Sequence, residues 1–352
     1  MIELLTSNHP PLNATSHSFS DIFYKEISNS SLLKIATGYI SVDSITELTR
    51  IIEINSRPSI SLVIGMHWFE GLTRQQLQAI SLLNTVLLEK NLGSISFATV
   101  SKYHGKVYSF ENERGRIGSL IGSSNLSSIG NPERIYEVDA YITEDAFCQS
   151  VSSFIDDLKT KYCKSFDLLG VDNFKIKETN ILLFDHYGVT RSNKHSEFNT
   201  IKTSLQFEIP LKAGLEQQKS NLNVYFGKGR ENTQTGFTKP RHWYEVELIV
   251  PAEITRLMGY PKNDSDDGLE FKVITDDGWE FKCKTSGSNS KNFRSCDDLK
   301  ILGKWIKGRL EQSGALQVGS QVTETVLNNY GRNSFSLIKS TIEDTWLLDF
   351  SK

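Results

Sequence analysis

Tyr103–Glu137 reads YHGKVYSFENERGRIGSLIGSSNLSSIGNPERIYE. His104, Gly105 and Lys106 stand at the head of one apolar run, and Gly122, Ser123, Ser124 and Asn125 close a second. Side chains two apart on a strand point the same way, so a strand starting here sets His104 and Lys106 on one face. A neighbouring strand that ends in GSSN brings Ser123 and Asn125 beside them. An imidazole, an ammonium and an amide around one pocket suit in-line attack on a phosphodiester. Neutral imidazole is the nucleophile, and the ammonium and amide donors stabilise charge growing on the non-bridging oxygens. Taken singly, H-x-K is a surface strand end and GSSN a turn. Together in a strand–loop context they are far more specific.

Moving outward, SLLKIATGYIS (31–41), SISLVIGM (59–66), SISFATV (94–100), KVYSF (106–110) and SLIGSS (119–124) read as strands. SITELTRIIEI (44–54), RQQLQAISLLNTVLLEKN (74–91) and DAFCQSVSSFIDDLKTKYC (145–163) carry apolar residues at helical spacing. This order predicts an α/β domain with a mostly parallel sheet. A polar stretch, RSNKHSEFNT (191–200), then breaks the rhythm. Beyond it come LQFEIPL, WYEVELIV, EFKVITDD, WEFKCK, NSFSLIKS and TWLLDF, with helical patterns only in AEITRLMGY and DDLKILGKWIKGRLEQ. That composition predicts a mainly-β open barrel. The expected divisions are a first domain over 1–165, a linker over 166–195 and a second domain over 196–352.

The 352 residues fit two domains. With 38% hydrophobic and 23% charged residues, the chain reads as ordinary globular protein. No run of about 18 apolar residues suggests a membrane span, and the N-terminus lacks a secretory pattern. Cys148, Cys163, Cys283 and Cys296 form no CxxC pair, so free thiols in a reducing cytoplasm are expected. His9, His17, His67, His186, His195 and His242 share no HxxxH or HxH spacing. No D…ExK cluster, G-x-S-x-G or Walker loop stands out, and no metal or cofactor is expected.

Net charge is only −3, but it is uneven. Lys282, Lys284, Lys291, Arg294, Lys300, Lys304, Lys307 and Arg309 crowd one stretch; Lys228, Arg230, Asn232, Lys239 and Arg241 form another, interleaved with Tyr225, Phe237 and Trp243. Within SGSNSKNFRS (286–295), Ser288, Asn289, Lys291, Asn292 and Arg294 offer donors and acceptors for phosphates and base edges. A solvated basic face is the plain alternative. Two such loops beside a phosphodiesterase motif favour DNA.

The H-x-K and G-S-x-N pair resembles the phospholipase D superfamily signature, HxK(x)4D(x)6GSxN. Two departures stand out: Glu111 occupies the aspartate position, and four extra residues precede GSSN. In phospholipase-D-like endonucleases a glutamate placed like Glu137 accompanies the His, Lys and Asn, and either Glu111 or Glu137 is left as the support for His104. KPRHWYEVELIVP, FKVITDDGWEFKCK, the Asn-rich loop and DDLKILGKWIKGRLEQSGAL resemble the plant-type B3 DNA-binding fold. The full arrangement looks like the NgoFVII family of type II restriction endonucleases. That resemblance implies metal-independent cleavage of double-stranded DNA through a phosphohistidine. Catalysis would rest on His104, Lys106, Ser123, Asn125 and Glu137. Two base-reading arms are implied, one with Lys228, Arg230, Asn232, Lys239, Arg241 and Trp243, the other with Lys284, Ser288, Asn289, Lys291, Asn292 and Arg294. It further implies a homodimer, because one motif supplies one histidine, together with a separate ATPase helper and a cognate DNA methyltransferase as partners. The rival readings are a lipid hydrolase of phospholipase D type and a DNA-binding module with an inert nuclease domain.

Overall fold

The computed structural model describes residues 1–8, 11–129, 135–177, 182–184, 186–214, 221–262 and 268–352. The chain divides into two units, Met1–Thr179 with Gly229–Pro240, and Asn180–Lys228 with Arg241–Lys352.

In the first unit the strands are β1 (Ile2–Thr6), β2 (Leu32–Thr37), β3 (Ser59–Ile64), β4 (Leu72–Thr73), β5 (Gly93–Ala98), β6 (Val107–Asn112), β7 (Gly115–Gly122), β8 (Val138–Ile142) and β9 (Cys163–Ser165). The helices that position the site are α1 (Phe19–Ile27), α2 (Val42–Asn55), α3 (His67–Glu70), α4 (Arg74–Glu89) and α5 (Asp145–Tyr162). Ser18, Ser41 and Thr73 open α1, α2 and α4 with capping boxes, each satisfying backbone donors that a helix start leaves orphaned. The main sheet runs β1-β8-β7-β6-β2-β3-β5-β9. Only β2–β3 and β3–β5 are parallel; the other five pairings are antiparallel. The expectation of a mostly parallel sheet is thus corrected. Helical crossovers join β2, β3 and β5, whereas β6 and β7 form a hairpin, and a hairpin can only be antiparallel. Phe19 and Phe23 of α1 meet Tyr108 on one face, with ring centroids 5.1 and 6.1 Å away. On the other face Val151, Ile155 and Leu158 of α5 pack with Ala36, Val63 and Val107.

The expected boundaries shift in two places. Ile176–Lys177, inside the expected linker, pairs in parallel with β4 and so belongs to the first unit. The hairpin of Arg230–Glu231 with Thr238–Lys239 also joins it. Asn55 grips that hairpin by both backbone groups of Thr238, donating to its carbonyl at 3.0 Å and accepting from its N–H at 2.7 Å. Arg57 donates to the carbonyl of Thr235 at 2.7 Å.

The second unit is built on an eight-stranded sheet. Its path is Lys202–Pro210, Ser334–Ser340, Thr345–Asp349, Leu269–Thr275, Trp279–Ser286, Asn292–Ser295 and Leu248–Ile249, with Thr190–Arg191 pairing on Trp279–Ser286 off that path. Asn292–Ser295, expected as loop, is a strand because Phe293 and Ser295 alternate into the core. WYEVELIV forms strand only at Leu248–Ile249. The helix Lys300–Gln312 buries Lys300, Lys304 and Lys307, so the expected basic face does not include them.

Lys307 is fully buried; its Nζ donates to the Trp243 carbonyl at 2.5 Å and lies 4.0 Å from that indole's centroid. Burial pushes its ammonium down to about 7, against the opposing pull of Glu311. Between that value and the unfolded lysine value near 10.4, the unfolded chain holds a proton that the folded chain lacks. Stability of this unit therefore rises with pH across that window. Lys307→Met should flatten the rise, which is worth on the order of a few kcal/mol in total. Urea midpoints at pH 6.5, 8 and 9.5 measure it, and equal pH slopes in the two proteins would contradict the assignment.

Candidate active site

Sheet register brings the motif together. Ala36, next to last in β2, pairs with Val107, the first residue of β6, and Val107 pairs in turn with Ile121 near the end of β7. The turn after β2 (38–40), the approach to β6 (104–106) and the GSSN turn after β7 therefore share one end of the sheet. The strand begins only at Val107, so His104 and Lys106 lie in the loop before it rather than on one strand face.

His104 is exposed, whereas Lys106 is only 7% exposed. Lys106 folds back on the histidine: its Nζ donates to the His104 carbonyl at 2.7 Å and stands 3.0 Å from Nε2. An ammonium cannot accept a hydrogen bond, so beside charged Lys106 the Nε2 lone pair faces the ammonium and the ring proton sits on Nδ1. Burial pulls the Lys106 pKa below the ordinary lysine range, and the charge of Glu137 opposes that pull.

Asn125 is oriented by the turn after β2. Its Oδ1 accepts from the Tyr39 N–H at 3.0 Å and lies 3.4 Å from the Thr37 hydroxyl, which also accepts from the Leu126 N–H at 3.1 Å. With Oδ1 held there, the amide nitrogen is left for a ligand. The Tyr39 ring meets His104 edge to face at 5.6 Å. Gly38 packs tightly beneath the site: a Cβ there would lie 3.0 Å from His104 Cδ2 and 3.4 Å from Asn125 Oδ1, so a side chain would press on both.

Ser123 engages β8 rather than the pocket, its Oγ accepting from the Val138 N–H at 3.0 Å. Ser124 is buried against Asp139, which takes its N–H at 3.0 Å and its hydroxyl at 2.5 Å. Burial raises the Asp139 carboxyl pKa, and the Ser124 hydrogen bonds oppose the rise. Asp139→Ala would strand two buried donors, each costing ~1–3 kcal/mol. It should lower the melting temperature and cut phosphodiesterase activity at least about tenfold as the turn carrying Asn125 relaxes. Thermal unfolding together with cleavage rate checks this; an unchanged rate in folded protein contradicts it.

Glu137 makes no hydrogen bond to His104 among the described residues; its backbone N–H donates to Ser7 Oγ at 2.7 Å, and its charge acts on Lys106. Glu111 lies at the other end of β6, accepting from Ser152 Oγ at 2.7 Å and standing 3.8 Å from Lys34 Nζ. It is tied to α5 and away from the histidine.

The residues expected to read DNA fall into distinct settings. Lys228, Arg230, Ser288, Asn289 and Lys291 are exposed. Asn232 Oδ1 closes its own turn on the Gln234 N–H at 2.9 Å. Lys239 Nζ lies 3.3 Å from the centroid of the Tyr24 ring. Arg241 is held by Glu245 through two bonds at 2.6 and 2.8 Å. Trp243 is buried, its Nε1 donating to Glu311 at 2.8 Å, so it is core and presents no surface. Lys284 stands 3.8 Å from Glu270. Asn292 and Arg294 are half-buried, and among the described residues Asn292 Oδ1 and Arg294 Nε have no hydrogen-bond partner.

Thr37, Tyr39 and Asp139 are site residues that sequence reasoning passed over. None lies in a motif, and only the sheet register brings them to Asn125. Among the described residues, no group of three or more His, Cys, Asp or Glu side chains is placed to hold a metal ion, and no helix is long and apolar enough to cross a membrane.

Residues 17–167 match the family model of the NgoFVII restriction endonuclease N-terminal PLD domain, and residues 197–341 match that of the NgoFVII C-terminal B3-like DNA-binding domain. No curated protein matches the chain. Among solved structures, Nuc from Salmonella typhimurium, a phospholipase D family member, is similar at 13% identity and a TM-score of 0.35, over 47% of this chain and 97% of that one. NucT from Helicobacter pylori is similar at 12% identity and a TM-score of 0.34, over 47% and 99%. With both halves matched in order, the chain belongs to the NgoFVII family of restriction endonucleases, with a phospholipase-D-like N-terminal domain and a B3-like DNA-binding domain after it.

Proposed function

We propose that this protein is a type II restriction endonuclease that cuts double-stranded DNA at a specific site without a metal ion, through a phosphohistidine on His104. The observation that carries the reading is the contact of Lys106 Nζ with His104 Nε2 at 3.0 Å, beside an Asn125 amide whose oxygen is already engaged. An arriving phosphate takes the ammonium and the amide as donors to its non-bridging oxygens, which frees the Nε2 lone pair. Nε2 attacks phosphorus, a P–N bond forms, and the P–O bond to one strand end breaks. Water then displaces the imidazole, leaving a phosphate on the other end and the free enzyme.

The departing oxygen needs a proton, and one motif provides one histidine. The proposal therefore includes a homodimer in which His104 of the partner subunit is the general acid. An apolar strip supports this. Ile2 and Leu4 of β1, Val138 of β8 and Ile121 of β7 share one face by register. They are 73%, 59%, 48% and 38% exposed, next to the GSSN turn. A separate ATPase and a cognate methyltransferase complete the reading as partners. The direct test is digestion of a supercoiled plasmid in EDTA with the fragment ends sequenced. Discrete ends at one short sequence support the proposal. No cutting, or cutting only with added divalent metal, sinks it.

Base reading is assigned to the loop and strand over 288–294. Asn289 and Ser290 adopt left-handed backbone angles, φ 59° and 52°, a conformation that asparagine takes readily and serine only at a cost, as in a loop held in a fixed shape. Asn292 Oδ1 and Arg294 Nε, buried and without a hydrogen-bond partner among the described residues, are suited to take partners from a bound duplex. Arg294→Ala should weaken cognate binding by ~1–3 kcal/mol and relax one base position. Lys291→Ala should weaken all duplexes alike and flatten the salt dependence. Competition binding against single-base variants separates the two; equal losses on every sequence for Arg294→Ala would remove it as a base reader.

A further inference from the structure

We infer that His67 is a positioning residue for this cleavage reaction: as a neutral imidazole it clamps the turn over 38–40 that aims Asn125 and flanks His104. The inference rests on the nuclease reading above. His67 opens the four-residue helix α3 and is only 5% exposed. Its Nδ1 lies 3.0 Å from the Gly71 carbonyl, and its Nε2 lies 3.2 Å from the Ile40 N–H. Both partners are backbone groups of fixed polarity. A carbonyl only accepts and an N–H only donates, so the ring carries its proton on Nδ1 and offers a lone pair to Ile40. A second proton would set two donors face to face. Burial holds the imidazole pKa below the usual histidine range, the charge of Lys177 acts in the same direction, and the Gly71 carbonyl and Glu70 oppose.

The clamp acts on the site through one residue. Tyr39 precedes Ile40, and its N–H is the donor that fixes Asn125 Oδ1 at 3.0 Å. Its ring stands edge to face with His67 at 5.5 Å and with His104 at 5.6 Å, so it lies between the two imidazoles. Its hydroxyl donates at 2.9 Å to Glu70, which ends the same short helix and pairs with Lys102 at 3.2 Å. Helix α3 thus holds this turn by its backbone at Ile40 and by its side chain at Tyr39. The turn starts on Gly38, whose lack of a side chain lets His104 approach; its carbonyl accepts from the Met66 N–H at 3.1 Å, and the Ile40 carbonyl accepts from Gln76 Nε2 at 2.9 Å. Release of Ile40 lets the Tyr39 N–H drift, and Asn125 drifts with it. Donors aimed at a transition state lose their effect when misplaced by about 1 Å.

The test is a double-mutant cycle on the full chain, read as single-turnover cleavage of plasmid or of a p-nitrophenyl phosphodiester, with duplex affinity measured alongside. His67→Leu removes both ring contacts and should slow cleavage about tenfold or more at unchanged duplex affinity. His67→Gln, which can still offer an acceptor to Ile40, should recover most of the rate. In an Asn125→Ala background His67→Leu should cost less than about threefold, because residues acting as one unit are not additive. A wild-type rate in His67→Leu, or its full effect retained without the Asn125 amide, overturns the inference. If His67→Leu does not fold, Tyr39→Phe runs the same cycle by cutting the tie to Glu70, and full additivity with Asn125→Ala overturns it equally. Wild-type activity in His104→Ala would remove the nuclease reading itself and leave this clamp without a reaction to serve.

Discussion

His104→Ala is expected to abolish DNA cleavage, by at least about 10⁴-fold, while duplex affinity stays within about twofold. The size follows from the chemistry. Without Nε2 there is no covalent intermediate, and Lys106 and Asn125 alone can only stabilise charge around a phosphate that nothing attacks. The selectivity follows from the fold. His104 is exposed, and the core beneath it is built from Val107, Tyr108 and Phe110, so its removal leaves the sheet intact. Duplex binding is assigned to the other unit, where the loop over 288–294 lies. Substrate labelled at the scissile phosphate should leave an acid-labile label on wild-type protein after rapid quenching, and none on the variant. Wild-type cleavage should persist in EDTA. Full cutting by His104→Ala, or a label that stays when His104 is absent, refutes the nucleophile.

Mixing wild-type subunits with a ninefold excess of His104→Ala subunits should lower activity to about 1% of that of the same total number of wild-type subunits. Random exchange leaves only about one dimer in a hundred with both histidines. If each subunit cut alone, about a tenth of the activity would survive. The steepness comes from one composite site that needs a nucleophile and an acid, each supplied by the same residue of a different copy. One such site breaks one strand at a time, so nicked plasmid must appear before linear product. Sedimentation at working concentration gives the oligomeric state independently. An active monomer, or activity that falls only in proportion to dilution, sinks the shared site.

The two domain types and the H-x-K and G-S-x-N pair could be read from the sequence alone because their signals are local. Strand and helix periods are repeated every few residues, and His104, Lys106 and Asn125 sit at fixed offsets from glycines and strand ends. The same local reading misplaced what depends on partners far along the chain. It put His104 and Lys106 on a strand, but the approach to β6 is a loop, and Lys106 reaches the histidine by folding back on its carbonyl. It counted Lys300, Lys304 and Lys307 as a basic surface, but the helix that carries them turns them inward. It treated Trp243 as a DNA contact, whereas a hydrogen bond to Glu311 holds it in the core.

The sequence by itself determined the α/β character of the first half, the motif and the presence of a second, mainly-β unit, although the helix Glu324–Tyr330 lay outside its reading. Each of these is fixed by residue type and spacing along a short stretch. Only the tertiary structure decided which carboxylates stand near the motif, which cations face solvent, and that Tyr39 and Asp139 orient the Asn125 turn. Those facts are set by sheet register and burial. Both arise from contacts between residues far apart along the chain, such as Asn125 with Tyr39 across 86 positions and Glu137 with Ser7 across 130, and no spacing rule within one segment encodes them.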